Sequence, residues 1–99
     1  MVKVGLSVRL EAKPGKADEV AALLAQGLSL VNEENRTPVW FAVRSGPTSF
    51  GIFDAFADGG ARRAHLQGRL AAALMSKADE LLAAPPKIEE VEVIAAKGA

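Results

Sequence analysis

The chain contains a single histidine, and an acidic residue precedes it closely in the sequence. His65 lies in a predicted helix, and Asp54 lies on the preceding predicted strand, within the segment FGIFDAFADGGARRAHLQG (50–68). A carboxylate that faces an imidazole orients the ring and favours its charged form. An imidazole with an ordinary pKa can also take a proton from a substrate near neutral pH. His65 is therefore the candidate catalytic base or ligand of a substrate oxygen, and Asp54 is the candidate residue that orients it.

The same pair also has a structural interpretation. A lone histidine on the buried edge of a helix can be a hydrogen-bonded core residue, and Asp54 can pair with Arg44 or Arg9 instead. Both interpretations remain open. Three phenylalanines are predicted to form the aromatic wall of a substrate pocket in the first interpretation and ordinary core in the second: Phe41, Phe50 and Phe56.

Composition excludes several other classes of function. The 12 basic and 12 acidic residues give a formal net charge of +0 and are mixed along the chain, which argues against a nucleic-acid partner. With no cysteine and one histidine, no metal site is expected. The glycines lack the spacing of a phosphate loop, so no nucleotide cofactor is expected either. No apolar run approaches the roughly 18 residues of a membrane span. No signal peptide is recognisable. We therefore expect a cytoplasmic protein that uses no cofactor and does not contact a membrane.

Hydropathy periodicity predicts four strands and two helices in a single domain over residues 1–99. Asp58 is the predicted N-cap of the second helix, and Gly68 is predicted to interrupt that helix. The elements are a strand at 2–11, a helix from about Asp18 to Val31, strands at 39–44 and 49–56, a helix to Gln67 that resumes over 70–84, and a strand at 87–97. This β-α-β-β-α-β order predicts an α+β, ferredoxin-like fold with helices on one face of a four-stranded antiparallel sheet.

The hairpin between the second and third strands decides which side chains face the helices. A two-residue loop at 46–47 places Phe41 on the helix face with Asp54, and it places Trp40 on the opposite face with Phe53. Burying two such aromatic side chains is worth about 2–3 kcal/mol each. We therefore expect a homodimer that forms through the sheet face, with Trp40 and Phe53 in the interface.

Three segments together resemble the antibiotic biosynthesis monooxygenase family: VRLEAKPGKADEV (8–20), VWFAVRSGPTSFGIFDAFAD (39–58) and ARRAHLQGRLAAAL (61–74). The likeness extends from Val4 to about Ala96 and includes the order of the elements. The resemblance implies a ferredoxin-like protomer whose sheet pairs with that of a partner to form a dimeric α+β barrel.

The resemblance also implies an activity, the cofactor-independent oxidation of a small aromatic, phenolic or quinol-like substrate with molecular oxygen. Haem-degrading relatives use an Asn, a Trp and a His, and because the corresponding residues here are Val8, Phe56 and His65, haem degradation is disfavoured. The chain has no tyrosine, and its one tryptophan lies on the second strand. These two features favour the alternative, a non-catalytic dimeric barrel that binds a small apolar ligand in a stress-response or accessory role.

Overall fold

The protein is described by a computed structural model over residues 1–98. The elements, in chain order, are β1 (Val4–Glu11), α1 (Ala17–Val31), β2 (Val39–Arg44), β3 (Ser49–Phe56), α2 (Gly59–Leu66), α3 (Arg69–Leu81) and β4 (Lys87–Glu92). The strands form one antiparallel sheet in the order β2-β3-β1-β4. The predicted ferredoxin-like α+β fold is therefore confirmed. Over residues 1–98, every helix falls short of the length and apolar character that crossing a membrane requires.

The central strands β1 and β3 carry the core on one face only. Leu6 of β1 lies opposite Asp54 of β3, and Leu10 lies opposite Phe50. All four of these side chains are buried under the helices. Since successive side chains of a strand point to opposite faces, the odd-numbered residues of both strands lie on the other face of the sheet, which we call the open face. The predicted helix face of these two strands is confirmed.

The β2–β3 hairpin differs from the prediction by one residue. The backbone N–H of Ser45 donates to the carbonyl of Ser49 at 2.9 Å, so the loop has three residues, not two. Arg44 stabilises this wider loop by donating from its guanidinium to the carbonyls of Gly46 and Pro47, at 3.2 and 2.6 Å. A shift of one residue moves every side chain of a strand to the other face. The predicted faces of β2 were therefore wrong.

This register exchanges the positions predicted for two aromatic residues. Trp40 stands opposite Asp54, on the helix face, and is half-buried there. Phe41 stands opposite Phe53, on the open face, where 60% of its surface is exposed. Phe53 lies on the open face as predicted and is 39% exposed. The aromatic pair of the open face is thus Phe41 and Phe53.

The predicted break in the second helix is confirmed and has a clear local cause. Asp58 caps α2 by accepting a hydrogen bond from the backbone N–H of Ala61 at 2.8 Å. At the other end, the N–H of Gly68 donates to the carbonyl of His65 at 3.0 Å, and Gly68 then becomes the N-cap of α3. Because α2 packs on β1 and β3, the last turn of α2 places His65 over the centre of the sheet.

The final elements are shorter than predicted. The third helix ends at Leu81, and β4 ends at Glu92, which stands opposite Val4 at the beginning of β1. One further backbone hydrogen bond, from Val93 to Lys3 at 2.9 Å, follows the strand. Pairing with the N-terminal segment therefore continues for one residue beyond β4.

Candidate active site

Asp54 and His65 lie in contact inside the protein. His65 Nε2 is 3.0 Å from Asp54 Oδ2, and only 6% and 1% of the two side chains are exposed. The alternative partners for Asp54 lie elsewhere, since Arg44 bonds to the hairpin loop and Arg9 is on the open face of β1. The structure therefore places Asp54 against His65, and not against Arg44 or Arg9.

A second carboxylate, which was not predicted from the sequence, occupies the other side of the ring. Glu34 Oε1 is 2.6 Å from His65 Nδ1, and the same oxygen accepts a hydrogen bond from Thr37 Oγ1 at 2.7 Å. Glu34 lies in the connection between α1 and β2, 31 residues before the histidine. No local pattern links two positions so far apart, so only the tertiary structure could identify this contact.

The two carboxylates determine the charge of the ring. Burial by itself lowers the pKa of His65, because a charged imidazolium is less well solvated inside the protein. The contacts with Asp54 and then with Glu34 outweigh this effect, and the pKa of His65 is raised above its ordinary value of 6.5. The two carboxylates therefore keep the ring charged to a higher pH than that of a free imidazole.

Several buried polar atoms around the ring have no hydrogen-bond partner within residues 1–98. Asp54 is the extreme case, because both of its oxygens are buried and neither accepts a hydrogen bond. Its contact with His65 is short enough for charge attraction, but the direction of the ring N–H does not meet hydrogen-bond geometry. The indole Nε1 of Trp40 and Oε2 of Glu34 are also buried and unpaired. Each such group costs about 1–3 kcal/mol in a folded protein, which makes the cluster a candidate site for a polar ligand atom.

A small cavity lies between the sheet and the helices beside this cluster. Its volume is about 50 Å³, and Asp54 and His65 are its polar lining residues. The remaining lining side chains are apolar and come chiefly from β1 and α3, including Leu6, Val8, Leu70, Leu74 and Met75. The cavity can hold a few molecules of the size of water or O₂. It is far smaller than the roughly 300–1,000 Å³ of a typical ligand pocket.

The three predicted wall phenylalanines do not line this cavity. Phe56 is the nearest of them to the site, with its ring centre 5.3 Å from that of His65. Phe50 lies at the opposite end of β3, in the core beside α1 and α3, with the Arg44 guanidinium 5.0 Å from its ring. Phe41 is on the open face of the sheet, away from His65. The aromatic side chain that the register places next to Asp54 is Trp40.

The geometry of the two carboxylates does not suit a metal ion. Glu34 and Asp54 contact different nitrogens of one imidazole ring, so their oxygens lie on opposite sides of His65 and do not converge on a common point. In the part of the chain that the structure describes, no group of three His, Asp or Glu residues could hold a metal. The arrangement is instead that of one imidazole ring held between two carboxylates.

Known structures place the chain in a family. It is 56% identical to a protein of unknown function from Nitrosomonas europaea, with a TM-score of 0.96 over 98% of this chain and 94% of that one. The chain belongs to the same family as that protein. No protein-family model and no curated protein matches the sequence.

More distant structures identify the fold of this family. A second Nitrosomonas europaea protein, described as a candidate antibiotic biosynthesis monooxygenase, is 15% identical, with a TM-score of 0.84 over 93% of this chain and 99% of that one. A protein from Caulobacter crescentus with the same description is 20% identical, with a TM-score of 0.80 over 95% and 92% of the two chains. The predicted resemblance is confirmed at the level of the fold. The chain has the antibiotic biosynthesis monooxygenase fold.

Proposed function

We propose that the protein is a cofactor-independent monooxygenase that oxidises a small phenolic or quinol-like aromatic molecule with O₂. The observation that carries the proposal is the carboxylate of Asp54, which is buried beside the His65 imidazole with both oxygens free of hydrogen bonds. Such an acceptor on the wall of an apolar cavity suits the capture of a hydroxyl proton in a water-poor environment. The fold shared with candidate monooxygenases supports the same class of reaction.

Asp54 is the proton acceptor in this proposal, and His65 stabilises the charges around it. Both ring nitrogens of His65 already face carboxylates, so the ring has no free lone pair to offer a substrate. Asp54 Oδ1 has no such contact. A substrate hydroxyl that donates to Oδ1 can therefore transfer its proton to that oxygen. The imidazolium then lies next to the negative charge that develops on the substrate oxygen.

The chemistry balances without a cofactor. The hydroxyl proton moves to Asp54, and the electron-rich substrate anion passes one electron to O₂. Recombination of the two radicals forms a carbon–oxygen bond, and the proton returns from Asp54 to the peroxide oxygen. Loss of water then leaves a carbonyl, so the hydroxyl group, a ring C–H and O₂ give two C=O groups and H₂O. The substrate loses four electrons in this sum, and the two oxygen atoms of O₂ gain them.

The cavity must widen to admit an aromatic substrate. Its present volume of about 50 Å³ accommodates O₂ but not a ring system. Met75 lines the cavity and is 56% exposed, and its unbranched side chain can change rotamer at low cost. In the proposal, a substrate enters beside Met75 and directs its hydroxyl towards Asp54.

We also propose that the protein forms a homodimer through the open face of the sheet. Three apolar side chains on adjacent strands of this face are exposed to solvent: Phe41 by 60%, Val43 by 54% and Phe53 by 39%. A contiguous apolar patch of this kind is typical of a protein interface. A second copy of the chain is the partner that a face-to-face packing of two sheets requires.

Oxygen uptake tests the proposed activity. The wild-type protein is mixed with anthrones, hydroquinones and other polycyclic phenols, without added metal or flavin, and O₂ consumption is followed with an electrode. Asp54→Asn preserves the shape of the side chain but weakens its basicity, and it should lower the rate by about 10²–10⁴-fold. Asp79→Asn is the matched control, because this residue is exposed on α3 and its side chain makes no contact in the site.

Two results would contradict the proposal. The first is the absence of O₂ uptake with every compound. If the same compounds nevertheless bind, the protein is a ligand-binding barrel without oxygenase activity. The second is uptake that Asp54→Asn and Asp79→Asn leave equally intact, which would place the chemistry elsewhere.

A further inference from the structure

The connection between α1 and β2 is built so that Glu34 faces the histidine. The N–H of Glu34 donates to the carbonyl of Val31 at 2.8 Å, which continues the turn at the end of the helix. Thr37 then donates from its hydroxyl to Glu34 Oε1 at 2.7 Å and fixes the carboxylate. The side chain of Glu34 is 20% exposed, so it separates the buried ring from the solvent.

Two ion pairs hold the same connection against the helices that carry the site. Arg36 lies 3.3 Å from Asp58, the N-cap of α2, and Glu33 lies 2.8 Å from Arg69 at the beginning of α3. Both pairs are exposed and contribute little to stability individually. Together they connect the loop to α2 and to α3, so both ion pairs help to fix the position of Glu34 relative to His65.

Glu34 and Asp54 are the charged groups that contact the ring, and they act on different nitrogens. Because Nδ1–H is directed at Glu34, rotation of the ring about the Cβ–Cγ bond is restricted. Nε2 therefore stays on the side of Asp54. A neutral ring carries only one N–H and cannot donate to both carboxylates. The charged ring carries an N–H on each nitrogen and is attracted to both carboxylates at once.

We propose that Glu34 is a positioning residue of the site, which holds His65 as an imidazolium with its Nε2 edge beside Asp54. The role in catalysis rests on the proposed monooxygenase function, because it is the imidazolium that stabilises the charges around Asp54 during proton transfer. Glu34 itself contacts the ring and not the cavity, so it acts through His65.

The single histidine makes the proposal testable without a substrate. In ¹⁵N-labelled protein, the imidazole signals belong to His65 alone, and their shifts with pH report the pKa and the tautomer of that ring. Glu34→Gln removes the charge and keeps the length of the side chain, and it should lower the pKa of His65. Glu34→Asp keeps the charge and should retain part of the shift. Glu19→Gln, at an exposed residue in the first turn of α1 and so at the opposite end of that helix from Glu34, should leave the titration as in the wild type.

Circular dichroism and thermal unfolding establish that each variant is folded before its titration is interpreted. The proposal is overturned if His65 titrates identically in the folded wild-type and Glu34→Gln proteins. It is equally overturned if Glu19→Gln produces the same change, since the effect would then be that of general surface charge.

A kinetic measurement separates this proposal from the proposed function. If the wild type consumes O₂, Glu34→Gln should move the alkaline limb of the kcat–pH profile to lower pH and change KM little, because the imidazolium is lost at a lower pH. Identical profiles in the two proteins would contradict a catalytic role for Glu34. If no substrate supports uptake, the proposed activity fails, while the NMR titration still decides whether Glu34 sets the charge of His65.

Discussion

Trp40 and Asp54 stand opposite each other on adjacent strands, with both side chains on the face that the helices cover. This relationship has two consequences. It places the one tryptophan beside the buried carboxylate of the candidate site, and it turns Phe41 to the open face, opposite Phe53. The same register therefore defines both the polar centre of the protomer and the apolar surface that we propose as its dimer interface.

The dimer proposal makes a prediction for Phe41. Because this side chain lies on the open face, Phe41→Asp should place a charge in the interface and convert the protein to a monomer at micromolar concentration. Sedimentation equilibrium or light scattering measures the change in mass. Leu28→Asp is the control, since Leu28 is 49% exposed on α1 and lies outside the sheet. A wild-type protein that is already monomeric, or a Phe41→Asp variant that remains dimeric, would contradict the proposed interface.

Gly5 provides a test of the close strand packing behind the site. A Cβ atom added at this position would lie 2.6 Å from the backbone carbonyl oxygen of Asp54, so Gly5→Ala must displace backbone. We expect a loss of about 1–3 kcal/mol in the free energy of unfolding, measured by urea denaturation. Gly46→Ala is the matched control, because the nearest atom to its added Cβ is 3.8 Å away, and its effect should be small. Equal stability of the two variants would argue against this packing.

The raised pKa of His65 predicts how stability depends on pH. A group whose pKa is higher in the folded than in the unfolded protein contributes stability that is complete below the unfolded value, here 6.5, and is lost as the pH rises through the folded value. The wild type should therefore lose stability as the pH is raised above 6.5, and His65→Gln should lack this loss. Denaturant midpoints measured across this range provide the comparison. A parallel decline in both proteins would show that His65 is not its source.

Much of the fold could be predicted from the sequence because its signals are local. The alternation in β1, the cap at Asp58 and the break at Gly68 each depend on residues close together in the chain, and the structure confirms all three. The faces of β2 could not be obtained in this way. They depend on a single extra loop residue, which is stabilised by hydrogen bonds from the Arg44 side chain to the loop carbonyls.

The candidate site was predictable only in part, for a related reason. Asp54 and His65 are linked by a short strand–turn–helix segment, so their proximity follows from local structure. Glu34 reaches the same ring from another connection, and nothing in its neighbourhood distinguishes it from the adjacent Glu33, which pairs with Arg69 at the surface. A contact across 31 residues becomes visible only once the helices are packed.

Deprotonation in the absence of oxygen tests most directly whether Asp54 takes the proton of a bound phenolic substrate. Under anaerobic conditions, the wild type is mixed with an anthrone or hydroquinone, and the long-wavelength absorption of the substrate anion is recorded. We expect that the anion forms with the wild type and with Asp79→Asn, and that Asp54→Asn binds the compound without forming the anion. Anion formation by Asp54→Asn at the wild-type level would contradict the claim.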